Sequence, residues 1–206
     1  MVIARLMFCG RHHRVLRDTK VVQRGIIRHM YIIIDISPAM GSTDLKPTAL
    51  DATKRLLAAF VHEFFDQNPI SQLALITTHD GLAQTVSPMS GNPADHLAAL
   101  KKSLTVGIGE PSLQNALEVA RSGLKNTPGH GSKEMLLILG SLTTCDPGDI
   151  YTTIAALKED GTRCSVVGLS AELQVCKALC GETSGTNVLP LFRFHAPPPF
   201  VATDGR

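Results

Sequence analysis

The chain has 206 residues, a length that predicts one globular domain or at most two small ones. Hydrophobic residues make up 44% of it and charged residues 18%, which excludes a disordered chain. The formal net charge of +2 is too small to indicate nucleic-acid binding by itself, and the 4% of aromatic residues, with no tryptophan, predicts an aliphatic core.

The charge is distributed unevenly along the chain. Residues 1–30 carry seven Lys or Arg and one Asp, whereas residues 31–206 carry 13 basic and 17 acidic residues. Residues 1–28 are therefore predicted to form a basic, solvated N-terminal segment. This segment could contact phosphate, but its pattern is not specific for DNA.

The first predicted element is a strand from His29 to Asp35, a β-branched run that ends in an acid. Such a continuous apolar run is typical of a strand buried on both faces of a parallel sheet. The sequence then predicts, in order, a polar loop at 36–47, an amphipathic helix at 48–66, a strand at 71–77, a hairpin edge strand at 82–87 and a helix that begins at Asn92-Pro93.

In the second half, Ser112 is predicted to cap a helix that extends to Leu124. Further elements follow in order: a buried strand at 135–139, a loop at 140–148, a helix at 150–157, a buried strand at 166–169 and a helix at 172–179. This alternation predicts an α/β fold: a doubly wound, mainly parallel sheet with one antiparallel edge strand and helices on both faces.

The end of the chain does not complete this pattern. Residues 187–194 could form a last strand, which Pro190 would confine to an edge or interrupt, and no closing helix follows. We expect a folded domain over residues 29–192 and a Pro-rich tail over residues 193–206, with the C-terminal strand and closing helix incomplete.

Motifs of enzymes are missing from the sequence. It contains no G-x-x-x-x-G-K-[ST] or G-x-G-x-x-G phosphate loop, no G-x-S-x-G elbow and no H-E-x-x-H pair. A hydrolase built from Ser37, Asp35 and either His29 or His79 is disfavoured, because His29 precedes the strand that Ser37 follows and nothing places His79 within reach. The sequence therefore predicts no catalytic residues.

The most informative local pattern is Asp35-Ile36-Ser37-Pro38-Ala39. A carboxylate at the end of a central strand, with a hydroxyl two residues later, could hold a divalent cation. The pattern resembles the metal-ion-dependent adhesion site of von Willebrand factor A domains, D-x-S-x-S, to which that family adds a Thr and an Asp from two later loops.

This sequence departs from the adhesion-site pattern. Ala39 stands where the second Ser belongs, Ser112 could replace the Thr, and Asp146 lies too far along its loop to match the Asp. Asp35, Ser37 and Ser112 are therefore predicted to form a degenerate site without a metal, and Asp35 is interpreted as a strand-end acid bonded to loop amides. A magnesium-dependent ligand-binding domain remains the alternative.

Seven further motifs carry a closer resemblance. They are Arg24-Gly25-Ile26-Ile27-Arg28-His29-Met30, Phe65-Asp66-Gln67-Asn68-Pro69-Ile70-Ser71-Gln72, Ser90-Gly91-Asn92-Pro93, Gly109-Glu110-Pro111-Ser112-Leu113, Pro128-Gly129-His130, Ser141-Leu142-Thr143-Thr144-Cys145-Asp146-Pro147 and Val166-Val167-Gly168-Leu169-Ser170-Ala171-Glu172. Together, over about residues 24–186, they resemble the family of helicase-regulating, forty-four-kilodalton von Willebrand A subunits of transcription factor TFIIH.

The resemblance implies a nuclear, non-catalytic protein. Members of that family bind the XPD helicase and stimulate its unwinding of DNA in nucleotide-excision repair and RNA polymerase II transcription. The implied partners are an XPD-type helicase and other TFIIH core subunits, with DNA contacted only indirectly through the complex and no membrane involved. By analogy, the helicase contact comprises Glu110, Pro111, Ser112, Ser141, Leu142, Thr143, Thr144, Cys145, Asp146 and Pro147.

The family also continues into zinc-binding modules. Cys176 and Cys180 form a C-x-x-x-C pair, but no second pair of ligands follows them. Because a structural zinc needs four ligands, the sequence predicts no zinc site and favours two thiols that pack on one face of a helix.

Overall fold

The computed structural model describes residues 27–188, so most of the basic segment and the whole Pro-rich tail lie outside the described residues. The elements are β1 (Arg28–Asp35), a 3-10 turn (Pro38–Gly41), α1 (Ala49–Gln67), β2 (Gln72–His79), β3 (Leu82–Ser90), α2 (Pro93–Ser103), α3 (Leu113–Lys125), β4 (Ser132–Leu139), α4 (Ile150–Glu159), β5 (Arg163–Gly168), α5 (Gln174–Glu182) and β6 (Asn187–Val188). The predicted order of helices and strands is confirmed.

The sheet has six strands in the order β3-β2-β1-β4-β5-β6. The central strand β1 pairs in parallel with β2 and β4, and only the edge strand β3 runs antiparallel. This confirms the predicted doubly wound sheet. It also places Asp35, the last residue of β1, between the ends of two neighbouring strands, where ligands of such sheets bind.

Alternating residues of the strands fill two separate cores. Ile32 and Ile34 of β1 face one core together with Phe60 and Phe64 of α1, and α2 covers the same side. Ile33 faces the second core, which α3, α4 and α5 cover. The predicted aliphatic core is confirmed, because these side chains are almost completely buried and most of them are Leu, Ile, Val or Met.

The hairpin that joins β2 to β3 has a tight, two-residue turn. Asp80 and Gly81 both adopt positive φ angles, 48° and 68°, as a type I′ turn requires. Strand β3 extends past the predicted boundary and includes Pro88. The pairing with β2 shifts register twice in this part of β3, so the proline lies in an irregular section of an edge strand, where it is tolerated.

The predicted last strand begins where expected. Asn187–Val188 pairs in parallel with β5, and the remainder of residues 187–194 lies outside the described part of the chain. Gly185 makes this pairing possible, because a Cβ at that position would overlap the carbonyl oxygen of Cys164 in β5.

The three cysteines of this region are buried packing side chains. Cys176 and Cys180 lie on one face of α5 in the second core, together with Cys164 of β5. Burial raises the pKa of the Cys164 and Cys176 thiols to about 12 and that of Cys180 to about 11. The interpretation of the C-x-x-x-C pair as packing thiols is confirmed. None of the helices within residues 27–188 is long and apolar enough to cross a membrane.

Candidate docking site

Two loops predicted to form the contact surface lie side by side at the carboxyl end of the sheet. The β4–α4 loop contacts the α2–α3 loop through Cys145, whose backbone N–H donates to the carbonyl of Pro111 at 2.9 Å. A second bond joins side chains, from the Thr143 hydroxyl to Glu110 Oε1 at 2.9 Å. The structure thus brings together residues that are more than 30 positions apart in sequence.

Asp146 anchors the middle of the β4–α4 loop to the first turn of α3. Its Oδ1 accepts a hydrogen bond from the Ser112 hydroxyl at 3.0 Å and one from the Gln114 backbone N–H at 2.7 Å. Its Oδ2 accepts from the Thr144 hydroxyl at 3.0 Å. A carboxylate is favourable here because the first backbone N–H groups of a helix lack partners within the helix and carry partial positive charge.

Ser112 has the capping role that its position predicts. Its hydroxyl accepts from the Asn115 backbone N–H at 3.2 Å, and the residue is completely buried. By its position in the sequence, Asp146 lies too far along its loop to match the Asp of the adhesion-site pattern. The structure shows that the loop nevertheless folds back and brings Asp146 against Ser112.

Thr78 and Asn115 also hold this region, and sequence reasoning missed both. Thr78, near the end of β2, accepts from the Ser112 N–H at 3.0 Å and donates to the Ser112 carbonyl at 3.1 Å. Asn115 donates through Nδ2 to the carbonyl of Gly81 at 2.7 Å. The position of Thr78 could have indicated its role, because it directly follows the predicted strand and therefore lies at the carboxyl end of that strand.

Asp35 holds the start of the β4–α4 loop. It is completely buried, and its Oδ1 accepts from the Ser37 N–H at 2.7 Å. Its Oδ2 accepts from the N–H groups of Gly140 at 3.0 Å and Ser141 at 2.8 Å. The interpretation of Asp35 as a strand-end acid bonded to loop amides is therefore confirmed. Gly140 lies close to the 3-10 turn, because a Cβ at that position would overlap the Met40 side chain, which would have to move.

The residues of the degenerate adhesion site do not fit a magnesium ion. Both oxygens of Asp35 accept backbone N–H groups, the Ser112 hydroxyl is bonded to Asp146, and Ala39 has no side-chain oxygen. Among Asp35, Ser37 and Ser112, only Ser37 has a buried side-chain oxygen without a hydrogen-bond partner. Octahedral magnesium needs several free oxygen ligands, and within residues 27–188 no group of three or more His, Cys, Asp or Glu side chains could hold a metal.

Exposure separates the predicted contact residues into two kinds. Pro111 and Ser112 are buried and support the loop from below. Glu110, Thr143, Cys145 and Pro147 are exposed, as is Leu142, whose side chain is 56% accessible to solvent. The α2–α3 loop adds Ile108, which is 74% exposed. The result is an exposed surface of apolar and neutral polar side chains with one carboxylate, Glu110, on loops that are joined by hydrogen bonds.

Comparisons with known proteins identify the family and the fold of this chain. A model of the family described as Ssl1-like matches residues 33–196, most of the chain. The chain belongs to the Ssl1-like family. This Ssl1-like chain is 46% identical over 185 residues to "General transcription and DNA repair factor IIH subunit ssl1" of Schizosaccharomyces pombe, and 42% identical over 186 residues to "General transcription factor IIH subunit 2" of Arabidopsis thaliana. These alignments cover 90% and 86% of this chain.

The Ssl1-like chain spans 44% of the length of each of these relatives. Solved structures share its fold at lower identity. The SpRpn10 VWA domain matches with a TM-score of 0.67 at 20% identity, over 79% of this chain and 87% of that one. The TFIIH p34 N-terminal domain matches with a TM-score of 0.62 at 16% identity, over 80% and 91%. Identities this low support the fold alone, and the fold is that of von Willebrand A domains.

Proposed function

We propose that this Ssl1-like domain is a non-catalytic component of TFIIH that acts in the nucleus in transcription and DNA repair. Its support is membership of the family, together with relatives at 42–46% identity that are named as subunits of general transcription factor IIH. On this proposal the other core subunits of TFIIH are partners, and DNA is contacted only through the assembled complex.

Within that complex, the domain binds an XPD-type helicase through the β4–α4 loop and stimulates unwinding. The observation that carries this proposal is the anchoring of the loop by Asp146 at the N-terminus of α3. Because the loop is already ordered, binding would not have to pay for fixing its backbone, which raises the affinity of an exposed surface. Leu142, Thr143 and Cys145 supply contact area, and Glu110 supplies a charge beside them.

The experiment compares three variants in a pull-down with purified XPD helicase. Thr143→Arg and Cys145→Arg place a long, charged side chain on the exposed loop, and we expect each to weaken binding about tenfold or more without lowering the melting temperature by more than about 2 °C. Ile70→Arg is the matched control. Ile70 is 55% exposed, but it lies between α1 and β2, at the opposite end of the sheet.

A helicase unwinding assay extends the test to stimulation, which should fall in parallel with binding. Unchanged affinity in both loop variants, or an equal loss in Ile70→Arg, would refute the assignment of the contact to this loop. The pull-down is also carried out in the presence of magnesium and in the presence of EDTA. We expect no difference, because the Asp35 carboxylate is already bonded to three amides.

The alternative function, a magnesium-dependent ligand binder of the adhesion-site type, makes a different prediction. It requires a rise in melting temperature at millimolar magnesium, because a ligand of the native state stabilises that state. The observation that favours this alternative is the buried Ser37 hydroxyl, which has no hydrogen-bond partner and could serve as an oxygen ligand.

A further inference from the structure

Strand β3 is an edge of the sheet that no other described strand covers. It pairs with β2 on one side, and no strand within residues 27–188 pairs with its other side. An open edge exposes unpaired backbone N–H and C=O groups and is a template for another strand. Gln84 and Thr85 in this strand are exposed.

The turn geometry identifies which backbone groups face outward. In a two-residue hairpin, the residues that flank the turn form a hydrogen-bonded pair, here His79 and Leu82. The pairs then alternate, so Thr78 and Ala83 form a non-hydrogen-bonded pair and Gln84 bonds to β2 again. The backbone groups of Ala83 and Thr85 therefore point away from the sheet.

The usual protection of an edge strand is confined to one half of β3. Register shifts occur where Ser87 and Ser90 pair with β2, and Pro88 lies between them. The first half, Leu82 to Thr85, keeps a regular register. Charged residues, which commonly block edge pairing, are absent from the whole of Leu82–Ser90. This half of the edge is therefore regular and neutral, and no strand of the described part of the chain covers it.

We propose that the Leu82–Thr85 edge of β3 receives an extended, uncharged segment of another TFIIH core subunit, which adds a strand to the sheet. The proposal rests on the proposed membership of TFIIH but not on the helicase contact. The outward backbone groups specify an extended segment, and the neutral strand disfavours a charged one, since no side chain on β3 would compensate its charge.

An apolar side chain of that segment has a place at the start of β3. Leu82 is 62% exposed, and Ile108 is 74% exposed. The α2–α3 loop runs beside the hairpin turn, because the Gly81 N–H donates to the carbonyl of Glu110 at 2.8 Å. Leu82 and Ile108 therefore flank the same contact and extend the docking surface from the edge towards the loop.

A second copy of this chain is a weaker candidate for the occupant. Two copies related by a two-fold axis at Gln84 would pair Ala83 with Thr85 of the other copy, and the register shifts would end the ladder after a few residues. A pairing this short falls well below the ~1,000 Å² that a stable interface buries. A segment of a larger partner can gain further area at Leu82 and Ile108.

Hydrogen exchange measured by mass spectrometry tests the proposal. The full chain is measured alone, with XPD helicase, and in a purified assembly with the other recombinant core subunits of TFIIH. We expect the peptide that contains Ala83 and Thr85 to exchange at least ~10-fold more slowly in the core assembly and unchanged with helicase alone.

A pair of variants isolates the backbone bond. Thr85→Pro removes an outward N–H that β2 does not use, whereas Thr85→Val keeps that N–H and nearly the same shape. We expect Thr85→Pro to weaken assembly with the core subunits and Thr85→Val to leave it unchanged. If Thr85→Pro fails to fold, the exchange measurement on the natural chain still decides the question.

Three results would overturn the inference in distinguishable ways. Unchanged exchange at β3 in an intact core assembly refutes the strand addition and leaves TFIIH membership standing. Protection that appears in the chain alone as its concentration rises assigns the edge to a second copy instead. Failure of the chain to enter the assembly refutes the proposed membership, and the inference with it.

Discussion

Replacement of Asp35 by Asn tests how strongly one buried carboxylate supports the docking surface. The side chain is completely buried, and its two oxygens accept three backbone N–H groups, from Ser37, Gly140 and Ser141. In Asp35→Asn one of these oxygens becomes an NH₂ group, which donates hydrogen bonds. Whichever way the amide is oriented, a donor faces a donor.

The expected cost follows from the number of bonds lost. One or two buried N–H groups lose their acceptor, at ~1–3 kcal/mol each, and the remaining bond loses its charge assistance. We therefore expect the free energy of unfolding to fall by about 2–4 kcal/mol. At ~2–4 °C per kcal/mol for a chain of this size, the melting temperature should fall by roughly 4–15 °C.

Urea denaturation and thermal melting measure this change directly. The matched control is Asp44→Asn, in the same β1–α1 loop, because the Asp44 side chain is exposed and accepts only from nearby Ser42. That variant should change stability by no more than ~0.5 kcal/mol. If Asp35→Asn were as stable as the natural chain, Asp35 would not hold the loop through these bonds.

Three further predictions concern other parts of the fold. Gly185→Ala should lower the free energy of unfolding in urea by about 1–3 kcal/mol, because its Cβ would overlap the Cys164 carbonyl. The control Gly181→Ala, in α5, should stabilise the fold slightly, since nothing lies within 4 Å of a Cβ there. Equal effects of the two variants would contradict the close approach of Gly185 to β5. The free energy of unfolding should fall as the pH is lowered from about 7 to 5. Burial lowers the pKa of His29 and His96 in the folded chain, so the unfolded chain takes up more protons below about pH 6.5. His96→Leu should make this pH dependence less steep, and an unaltered slope would exclude His96 as one of its sources. Among the described cysteines, only the exposed Cys145 should react quickly with a maleimide at pH 7. The thiols of Cys164, Cys176 and Cys180 are buried, and their pKa values are raised to about 11–12. Rapid labelling of Cys164 in the folded chain would contradict its burial.

Much of the fold could be predicted because the strands and helices have distinct periods. The run from Met30 to Ile34 is apolar at every position, which is typical of a strand buried on both faces. The 3-10 turn at Pro38–Gly41 was expected only as a loop. The full length of β3 was also missed, because Pro88 normally ends a strand and the irregular pairing that accommodates it has no sequence signature.

The candidate site was predictable only in outline. Parallel strands bring their carboxyl ends to one edge of the sheet, and this rule placed residues 110–112 and 141–147 near one another. The bond between Thr143 and Glu110 could not be predicted, since it depends on how two irregular loops fold. The role of Thr78 was missed for the same reason: its hydroxyl matters because Ser112 lies beside it.

The β4–α4 loop is held at three points, and their spacing explains what it can present. Asp35 holds its start at Gly140 and Ser141, and Asp146 holds its middle against α3. Asp149 ends it by capping α4, where its Oδ1 accepts from the Tyr151 N–H at 3.0 Å. Residues 142–145 lie between the first two anchors, and Leu142, Thr143 and Cys145 among them are exposed. The start, middle and end of the loop are thus each fixed by a carboxylate that accepts backbone N–H groups, and such charge-assisted bonds are stronger than bonds between neutral groups.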